Sequence, residues 1–195
     1  MNVEERIEQV YVATEAELRA HYGEQRLQYY GAMISWRNGG PDPLSGVSVY
    51  LHPDGHWHYI GFGMSERAEK ETPNLEVSGW GFELTFRLKA HGPAHPKWPI
   101  VLLNDFARYV FDSRRPLRHA DFVERPGDPR SRYWGIVADP VLRPVSTVNG
   151  RFDWMQIVAL SELEFRRLRE DDYQAFLPEL EKARPLYVSD ITLTA

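Results

Sequence analysis

Alternating apolar and polar residues mark one long strand near the middle of the chain. Between residues 82 and 89, every second residue is apolar and the residues between them are polar. Successive side chains of a strand face opposite sides of a sheet, so the pattern predicts one face on the core and one face in water. The predicted core face carries Phe82, Leu84, Phe86 and Leu88, and the predicted solvent face carries Glu83, Thr85, Arg87 and Lys89.

The period changes after this strand and predicts a helix that begins at Trp98. Pro99 suits the first turn of a helix, where a missing N–H leaves no bond unmade. Apolar residues then recur at steps of three and four, at Val101, Leu102, Phe106, Tyr109 and Val110. An amphipathic strand followed by an amphipathic helix favours a fold in which helices pack on a sheet.

Caps and turns predict the remaining elements. Thr14 and Glu17 have the spacing of a capping box, which predicts a helix from Thr14 to a stop at Gly23. The turn at Asp54 predicts a hairpin of residues 47–51 and 56–63. Further strands are predicted at 32–36, 133–138, 152–160 and 186–191, and further helices from Ser161 and from Asp171 to Ala183. No linker or repeat interrupts them, so we expect one domain over residues 1–195.

Composition narrows the class of protein. The chain has 195 residues, 43% of them hydrophobic, which excludes a disordered chain. It contains no cysteine, so disulfides and thiolate metal sites are excluded. The first residues lack the apolar core of a signal peptide, and no apolar run is long enough to span a membrane. We therefore expect a soluble cytoplasmic protein that needs no cofactor.

Charge is distributed unevenly. The net charge of −5 disfavours non-specific binding of nucleic acid. Seven arginines and four acidic residues nevertheless lie between Arg108 and Arg132. This stretch is either a surface for an acidic partner or a solvated loop that contains several prolines.

Three histidines are the strongest candidates for chemistry. His52, His56 and His58 have the residue types of a zinc or iron site, and His56 and His58 share one face of a strand. The alternative is a hairpin whose histidines are satisfied by hydrogen bonds. Gly-x-Ser-x-Gly and Gly-x-x-x-x-Gly-Lys motifs are both absent, so no nucleophile elbow or phosphate loop is predicted.

Several blocks together carry a resemblance to a known family. They are His56-Trp-His-Tyr-Ile-Gly-Phe-Gly-Met-Ser65, Ser78-Gly-Trp-Gly-Phe-Glu-Leu-Thr-Phe-Arg-Leu88, Trp98-Pro99, Ala107-Arg-Tyr-Val-Phe111, Asp139-Pro140, Pro144-Val145 and Met155-Gln-Ile-Val158. In order and spacing they resemble the suppressor of fused family over about residues 25–192. The resemblance implies an α+β domain with a mixed, twisted sheet flanked by helices.

The resemblance also implies a function in protein binding rather than catalysis. Family members in animals grip a short peptide as an added strand, a mode in which backbone bonds supply affinity and side-chain pockets supply selectivity. Carried over to this chain, the peptide-contacting residues are Tyr109 and Asp121. The cluster of Arg114, Arg115 and Arg118 would steer an acidic partner. The alternative is that Tyr109 faces the core and Asp121 caps a loop.

Three functions follow, in order of preference. The first hypothesis is an immunity protein that neutralises a cognate polymorphic toxin. The chain matches only the first of the two domains of the animal proteins, and stand-alone bacterial domains of this family are similar to such immunity proteins. The second hypothesis is a regulator that sequesters a transcription factor or another protein by strand addition. The third is a metal-dependent enzyme that uses His52, His56 and His58.

Overall fold

The computed structural model describes residues 2–25, 28–68, 70–170 and 173–191, and this part of the chain folds into four helices and eight strands. The helices are α1 (Val3–Tyr22), α2 (Trp98–Ser113), α3 (Glu162–Glu170) and α4 (Tyr173–Ala183). The strands are β1 (Gln28–Gly31), β2 (Gly46–His52), β3 (His56–Phe62), β4 (Val77–Lys89), β5 (Phe122–Glu124), β6 (Tyr133–Ala138), β7 (Val145–Thr147) and β8 (Gly150–Leu160).

The eight strands form one mixed sheet. Its main path runs in the order β1, β2, β3, β4, β8, β6, β5, and β7 pairs with β8 beside this path. Neighbouring strands are antiparallel except β4 and β8, which run parallel at the centre of the sheet. The predicted α+β class with a mixed sheet flanked by helices is confirmed, as is the predicted hairpin, which is formed by β2 and β3.

Helix α2 covers one face of the sheet with the largest apolar cluster of the described residues. Leu102, Leu103, Phe106, Ala107 and Val110 of α2 pack on strand residues that include the predicted core face of β4. Two of the residues that we expected on the buried side of α2 lie on the exposed side: Val101 is 56% exposed and Tyr109 is 43% exposed.

The other face of the sheet is covered as well. Helix α1 packs through Leu18 over β2, β3 and β8. Helices α3 and α4 pack over β6 and the end of β8, with Phe165 and Phe176 buried. Because helices cover both faces, a polar side chain on either face of a central strand is removed from water.

The polar face of β4 is therefore buried, and its predicted exposure is wrong for three of its four residues. Glu83 and Thr85 are fully buried and Arg87 is 1% exposed, whereas Lys89 at the strand end is exposed. The carboxylate of Glu83 accepts hydrogen bonds from the backbone N–H groups of Gly63, Met64 and Ser65 and from the Ser65 hydroxyl. A buried carboxylate without such donors would be strongly destabilising.

Arg87 and Asp139 form a buried ion pair at the centre of this face. Arg87 Nη1 lies 2.7 Å from Asp139 Oδ2, and Nη2 lies 3.0 Å from Oδ1. Thr85 Oγ1 donates to the same carboxylate at 2.9 Å. Burial by itself raises the pKa of Asp139, but hydrogen bonds from His58 and Arg87 and the positive charge of Arg87 hold it well below its usual range.

Two helix starts illustrate what local sequence predicts. The capping box at Ser161 and Glu164 is confirmed, with Glu164 N donating to Ser161 Oγ at 3.2 Å. The predicted start at Thr14 is wrong, because α1 begins at Val3 with a capping box between Asn2 and Glu5. Thr14 lies inside α1, where its hydroxyl donates to the Val10 carbonyl at 2.8 Å. The predicted stop of this helix at Gly23 is confirmed.

Two predicted strands are also wrong. The segment 32–36 follows β1 and leads into a 3-10 turn at Trp36–Asn38. The segment 186–191 begins in a 3-10 turn at Pro185–Tyr187, and Ser189 forms only an isolated bridge with Leu88. The predicted helix start at Asp171 lies outside the described residues, and α4 is described from Tyr173.

Candidate functional site

A groove runs between helix α2 and the edge strand β5. It consists of two adjoining cavities of about 340 and 370 Å³, both of which are lined by Tyr109 of α2 and Val123 of β5. We call this feature the α2–β5 groove. Its remaining lining residues are Asp105, Phe106, Arg108, Asp112, Glu124 and Arg125 at one end, and Arg115, Pro116, Leu117, Arg118, Asp121 and Phe122 at the other.

The chain between α2 and β5 holds the groove in place. Leu117 is 5% exposed and packs into the core beneath α2. Ala120 N donates to the Ile136 carbonyl and Ile136 N donates to the Asp121 carbonyl, each at 2.8 Å. These contacts join the loop to β6, so the wall of the groove is hydrogen-bonded to the sheet.

Strand β5 forms one end of the sheet. Among the described residues it pairs only with β6, through Phe122, Val123 and Glu124. Its other edge has no strand partner there. An unpaired strand edge offers backbone N–H and C=O groups to any extended segment that lies beside it.

The structure brings Tyr109 and Asp121 to this same groove. The ring of Tyr109 is 43% exposed and lines both cavities, so Tyr109 does not face the core. Asp121 lines one cavity, and its Oδ2 accepts a hydrogen bond from Arg118 N at 2.7 Å. Asp121 therefore caps the loop with one carboxylate oxygen and also contributes to the surface of the groove.

The predicted arginine cluster is divided between two sites. Arg115 and Arg118 line the α2–β5 groove, whereas Arg114 lines a separate cavity at the end of α2. Within the described residues, the guanidinium groups of Arg115 and Arg118 make neither hydrogen bonds nor ion pairs. Two guanidinium groups and the Asp121 carboxylate thus give that end of the groove a net positive charge.

The other end of the groove has a different charge pattern. Asp105 is shared by three guanidinium groups, those of Arg108, Arg125 and Arg130, at N–O distances of 3.3, 3.1 and 3.0 Å. Asp112 is exposed, and its carboxylate has no ion pair or hydrogen bond to any residue that the structure describes. The two ends of the groove thus carry unpaired charges of opposite sign.

The three histidines are close together but are held by other interactions. The rings of His52 and His56 stack with centroids 4.4 Å apart. His58 Nδ1 is hydrogen-bonded to the Tyr22 hydroxyl, and His58 Nε2 lies 3.4 Å from Asp139 Oδ2. Burial lowers the pKa of His58 to about 4. In the described ranges, no group of three or more His, Asp or Glu side chains has an arrangement that could hold a metal ion.

One cluster of residues was missed by sequence reasoning. Trp36, Trp80 and Phe111 come from three separate segments and line the cavity that contains Arg114. No periodic pattern links the three positions, so hydrophobic spacing gives no signal for them. The left-handed backbone of Arg114, with φ of 58°, is equally invisible in the sequence.

The fold and the groove define a class of protein: an α+β domain whose surface carries an open groove beside a strand edge that is unpaired among the described residues. No helix in the described part of the chain has the length and apolar character needed to cross a bilayer. The sequence profile of the family described as "Suppressor of fused protein (SUFU)" matches residues 40–192. The chain belongs to the suppressor of fused family, as the resemblance in its sequence indicated.

Curated relatives match this chain over part of their length. "Suppressor of fused homolog" from Homo sapiens is 34% identical over an alignment of 197 positions, which covers 87% of this chain and 40% of the human protein. The homolog from Mus musculus matches with the same identity and coverage. The chain therefore spans about two fifths of the length of these relatives.

Solved structures agree with the fold. A chain from "the Sufu-Fu complex crystal structure" superposes with a TM-score of 0.81 and 26% identity, covering 94% of this chain and 90% of that one. Drosophila Suppressor of Fused gives 0.82 and 26%, covering 96% and 51%. A putative SUFU homolog from Neisseria gonorrhoeae gives 0.58 and 14%, covering 98% and 100%, which shows similarity of fold alone.

Proposed function

We propose that this chain is a non-enzymatic protein-binding module that takes up an extended segment of its partner along the α2–β5 groove. The observation that carries the proposal is the unpaired edge of β5 beside the exposed ring of Tyr109. A segment added to β5 would gain backbone hydrogen bonds from the edge and side-chain contacts from the two cavities. This mode needs no catalytic group.

The family supports a protein partner. One solved relative is described as a complex of Sufu with Fu, so at least one member of the family binds another protein. That relative superposes on 94% of this chain, and the match covers 90% of its own length. A partner surface on this single domain is consistent with that complex.

Charge specifies the segment that fits the groove. The unpaired Arg115 and Arg118 favour an acidic residue at one end of the segment, where a guanidinium can form a bidentate contact with a carboxylate. The unpaired Asp112 favours a basic residue at the other end. An apolar or aromatic residue between them would pack on Tyr109 and Val123. Asp121 offers its free carboxylate oxygen to a His, Arg or Lys of the partner.

We propose that the partner is a cognate toxin, which this chain neutralises by covering the toxin's active surface. Electrostatic attraction by Arg115 and Arg118 would speed association with an acidic toxin surface. A regulator that sequesters a transcription factor or another protein would use the same groove and the same contacts. The identity of the captured partner separates the two roles, and co-expression with that partner tests neutralisation directly.

The test is capture of the partner from lysate of the native host, followed by mass spectrometry and binding measurements with purified partner. We expect Tyr109→Ala and Arg118→Glu each to weaken binding by about 30-fold or more, as at the centre of a protein interface. Tyr11→Ala is the matched control, because Tyr11 is a tyrosine of similar exposure, 50%, on α1.

Hydrogen exchange distinguishes strand addition from other docking modes. Binding along the groove should slow exchange at the backbone amides of β5. A partner that binds all variants equally well, or one that leaves exchange in β5 unchanged, would rule out this groove. Recovery of no partner in lysates at low salt would rule out the binding function itself.

A further inference from the structure

A second cavity, separate from the α2–β5 groove, lies at the end of α2 and has aromatic walls. Its volume is about 440 Å³, and Trp36, Trp80 and Phe111 line it. The ring centroid of Phe111 lies 5.9 Å from that of Trp36 and 5.6 Å from that of Trp80. We call this feature the aromatic cavity. Its volume is in the range of pockets that hold small organic ligands, and such pockets are predominantly apolar with a few polar groups.

Two acidic side chains line the aromatic cavity, and each has a positive or donating partner. Glu71 pairs with Arg37, with Oε1 and Nη1 2.5 Å apart. The carboxylate of Glu66 accepts hydrogen bonds from Lys70 Nζ at 2.8 Å and from Thr72 N at 2.6 Å. These acidic groups and the Arg37 cation are therefore balanced by the protein itself.

Arg114 is the one charged group of the aromatic cavity that lacks such a partner in the described residues. Its guanidinium forms no hydrogen bond or ion pair with any of them, whereas its backbone N–H donates to the Val110 carbonyl at 2.9 Å. Because the acids are balanced, the cavity presents a net positive charge beside three aromatic rings.

The backbone of Arg114 provides a second, independent observation. Arg114 occupies the left-handed position that ends α2, with φ of 58° and ψ of 25°. This position favours glycine, and a residue with a Cβ is strained there. Strained positions concentrate at functional sites, where a particular side chain is needed. Arg114 lines the aromatic cavity and holds this backbone conformation at some cost to the helix end.

We propose that the aromatic cavity binds a small aromatic carboxylic acid. The ring of the ligand would pack against Trp36, Trp80 and Phe111, and its carboxylate would accept hydrogen bonds from the Arg114 guanidinium. The aromatic cavity shares no lining residue with the α2–β5 groove. The ligand site is therefore an additional property of this chain and does not depend on the proposed partner.

A matched pair of probes tests the chemistry. In protein labelled with ¹⁵N, 2-naphthylacetate should shift the indole N–H signals of Trp36 and Trp80, with a dissociation constant of about 1 mM or lower for a ligand of this size. The amide 2-naphthylacetamide has the same ring and lacks the negative charge. We expect it to bind about tenfold more weakly, since a charge-assisted bond to Arg114 is lost.

Arg114→Gly separates the ligand-binding role from a structural one. Glycine suits a φ of 58°, so this variant should fold and should be at least as stable as the unsubstituted protein. It should bind the acid and the amide equally weakly. Arg19→Ala removes a solvent-exposed arginine from α1 and should leave the tenfold preference for the acid unchanged.

Each other outcome overturns the proposal. The acid can be added to about 10 mM, tenfold above the expected dissociation constant of about 1 mM. If neither indole signal shifts at that concentration, the cavity does not bind aromatic acids. Equal affinity for acid and amide, or an unchanged preference in Arg114→Gly, would show that Arg114 does not recognise a carboxylate. Binding only of a peptide that ends in a phenylalanine with a free carboxylate would assign the cavity to a protein C-terminus instead of a small molecule.

Discussion

Replacing Arg87 with methionine tests the assignment of a buried ion pair to the centre of the sheet. Methionine keeps an unbranched side chain of similar length and removes the guanidinium. The side chains of Arg87 and Asp139 are 1% and 0% exposed, and two parallel N–O contacts of 2.7 and 3.0 Å join them. Removing one member of a buried pair leaves the other charge unpaired, so we expect the free energy of unfolding to fall by about 3–5 kcal/mol.

The same strand supplies a matched control. Lys89 lies two residues beyond Arg87 on β4 and pairs with Asp190 at 2.7 Å, but these side chains are 55% and 50% exposed. Solvent screens an exposed pair, so Lys89→Met should change the free energy of unfolding by less than about 1 kcal/mol. The shortest N–O distance is the same in both pairs, so the pairs differ in burial and in the second contact that Arg87 makes.

The assay is urea denaturation followed by tryptophan fluorescence, with a double variant to isolate the pair. Asp139→Asn keeps an acceptor oxygen for the N–H groups of Val141 and Leu142, which donate to Asp139 at 3.0 Å. Combined with Arg87→Met, it removes both charges and should recover part of the loss. A loss of less than about 1 kcal/mol in Arg87→Met alone, or one no larger than in Lys89→Met, would refute the reasoning.

Three further predictions concern the buried carboxylate, the buried histidine and a helix cap. Glu83→Gln places an NH₂ group against N–H donors, and urea titration should show a loss of about 2–3 kcal/mol. Burial lowers the pKa of His58 to about 4 from its ordinary 6.5, so the unfolded chain takes up a proton first as the pH falls. By linkage, His58 should lower the free energy of unfolding by about 2 kcal/mol at pH 5 relative to pH 7. His58→Gln should reduce this pH dependence, measured by urea unfolding at the two pH values. Ser161→Ala should cost about 1 kcal/mol in thermal or urea unfolding, and a threonine at this position should restore most of it.

Local patterns were confirmed at three places where the signal lies within a few residues, although the capping box at Thr14 was wrong. The strand and core face predicted from the alternation in β4, the turn between β2 and β3, and the cap at Ser161 were confirmed. The predicted solvent face of β4 was not. The start of α1 at Val3 was missed, although Asn2 and Glu5 also have capping-box spacing. Spacing alone does not show whether a threonine and a glutamate three residues apart begin a helix or lie inside one. Thr14 lies inside α1, where its hydroxyl bonds to the Val10 carbonyl instead of capping a helix start.

The residues of the candidate site were proposed only through resemblance, and their role in binding stays a prediction. Tyr109 and Asp121 were carried over from the family blocks, and they do lie in one groove. The helical period by itself placed Tyr109 with the apolar face of α2, yet its ring is exposed. Which side of a helix meets the sheet depends on the whole set of apolar positions and on what covers them.

The sequence by itself determined the class of fold, the main elements and the face of β4 that joins the large core, because hydrophobic period and turn chemistry are local properties. Only the tertiary structure decided that the second face of β4 is buried, that Arg87 pairs with Asp139, and that Arg114 and Arg115 serve different cavities. These features depend on contacts between residues far apart in the chain. Burial and pairing of charges arise where separate segments meet, and no period along one segment records them.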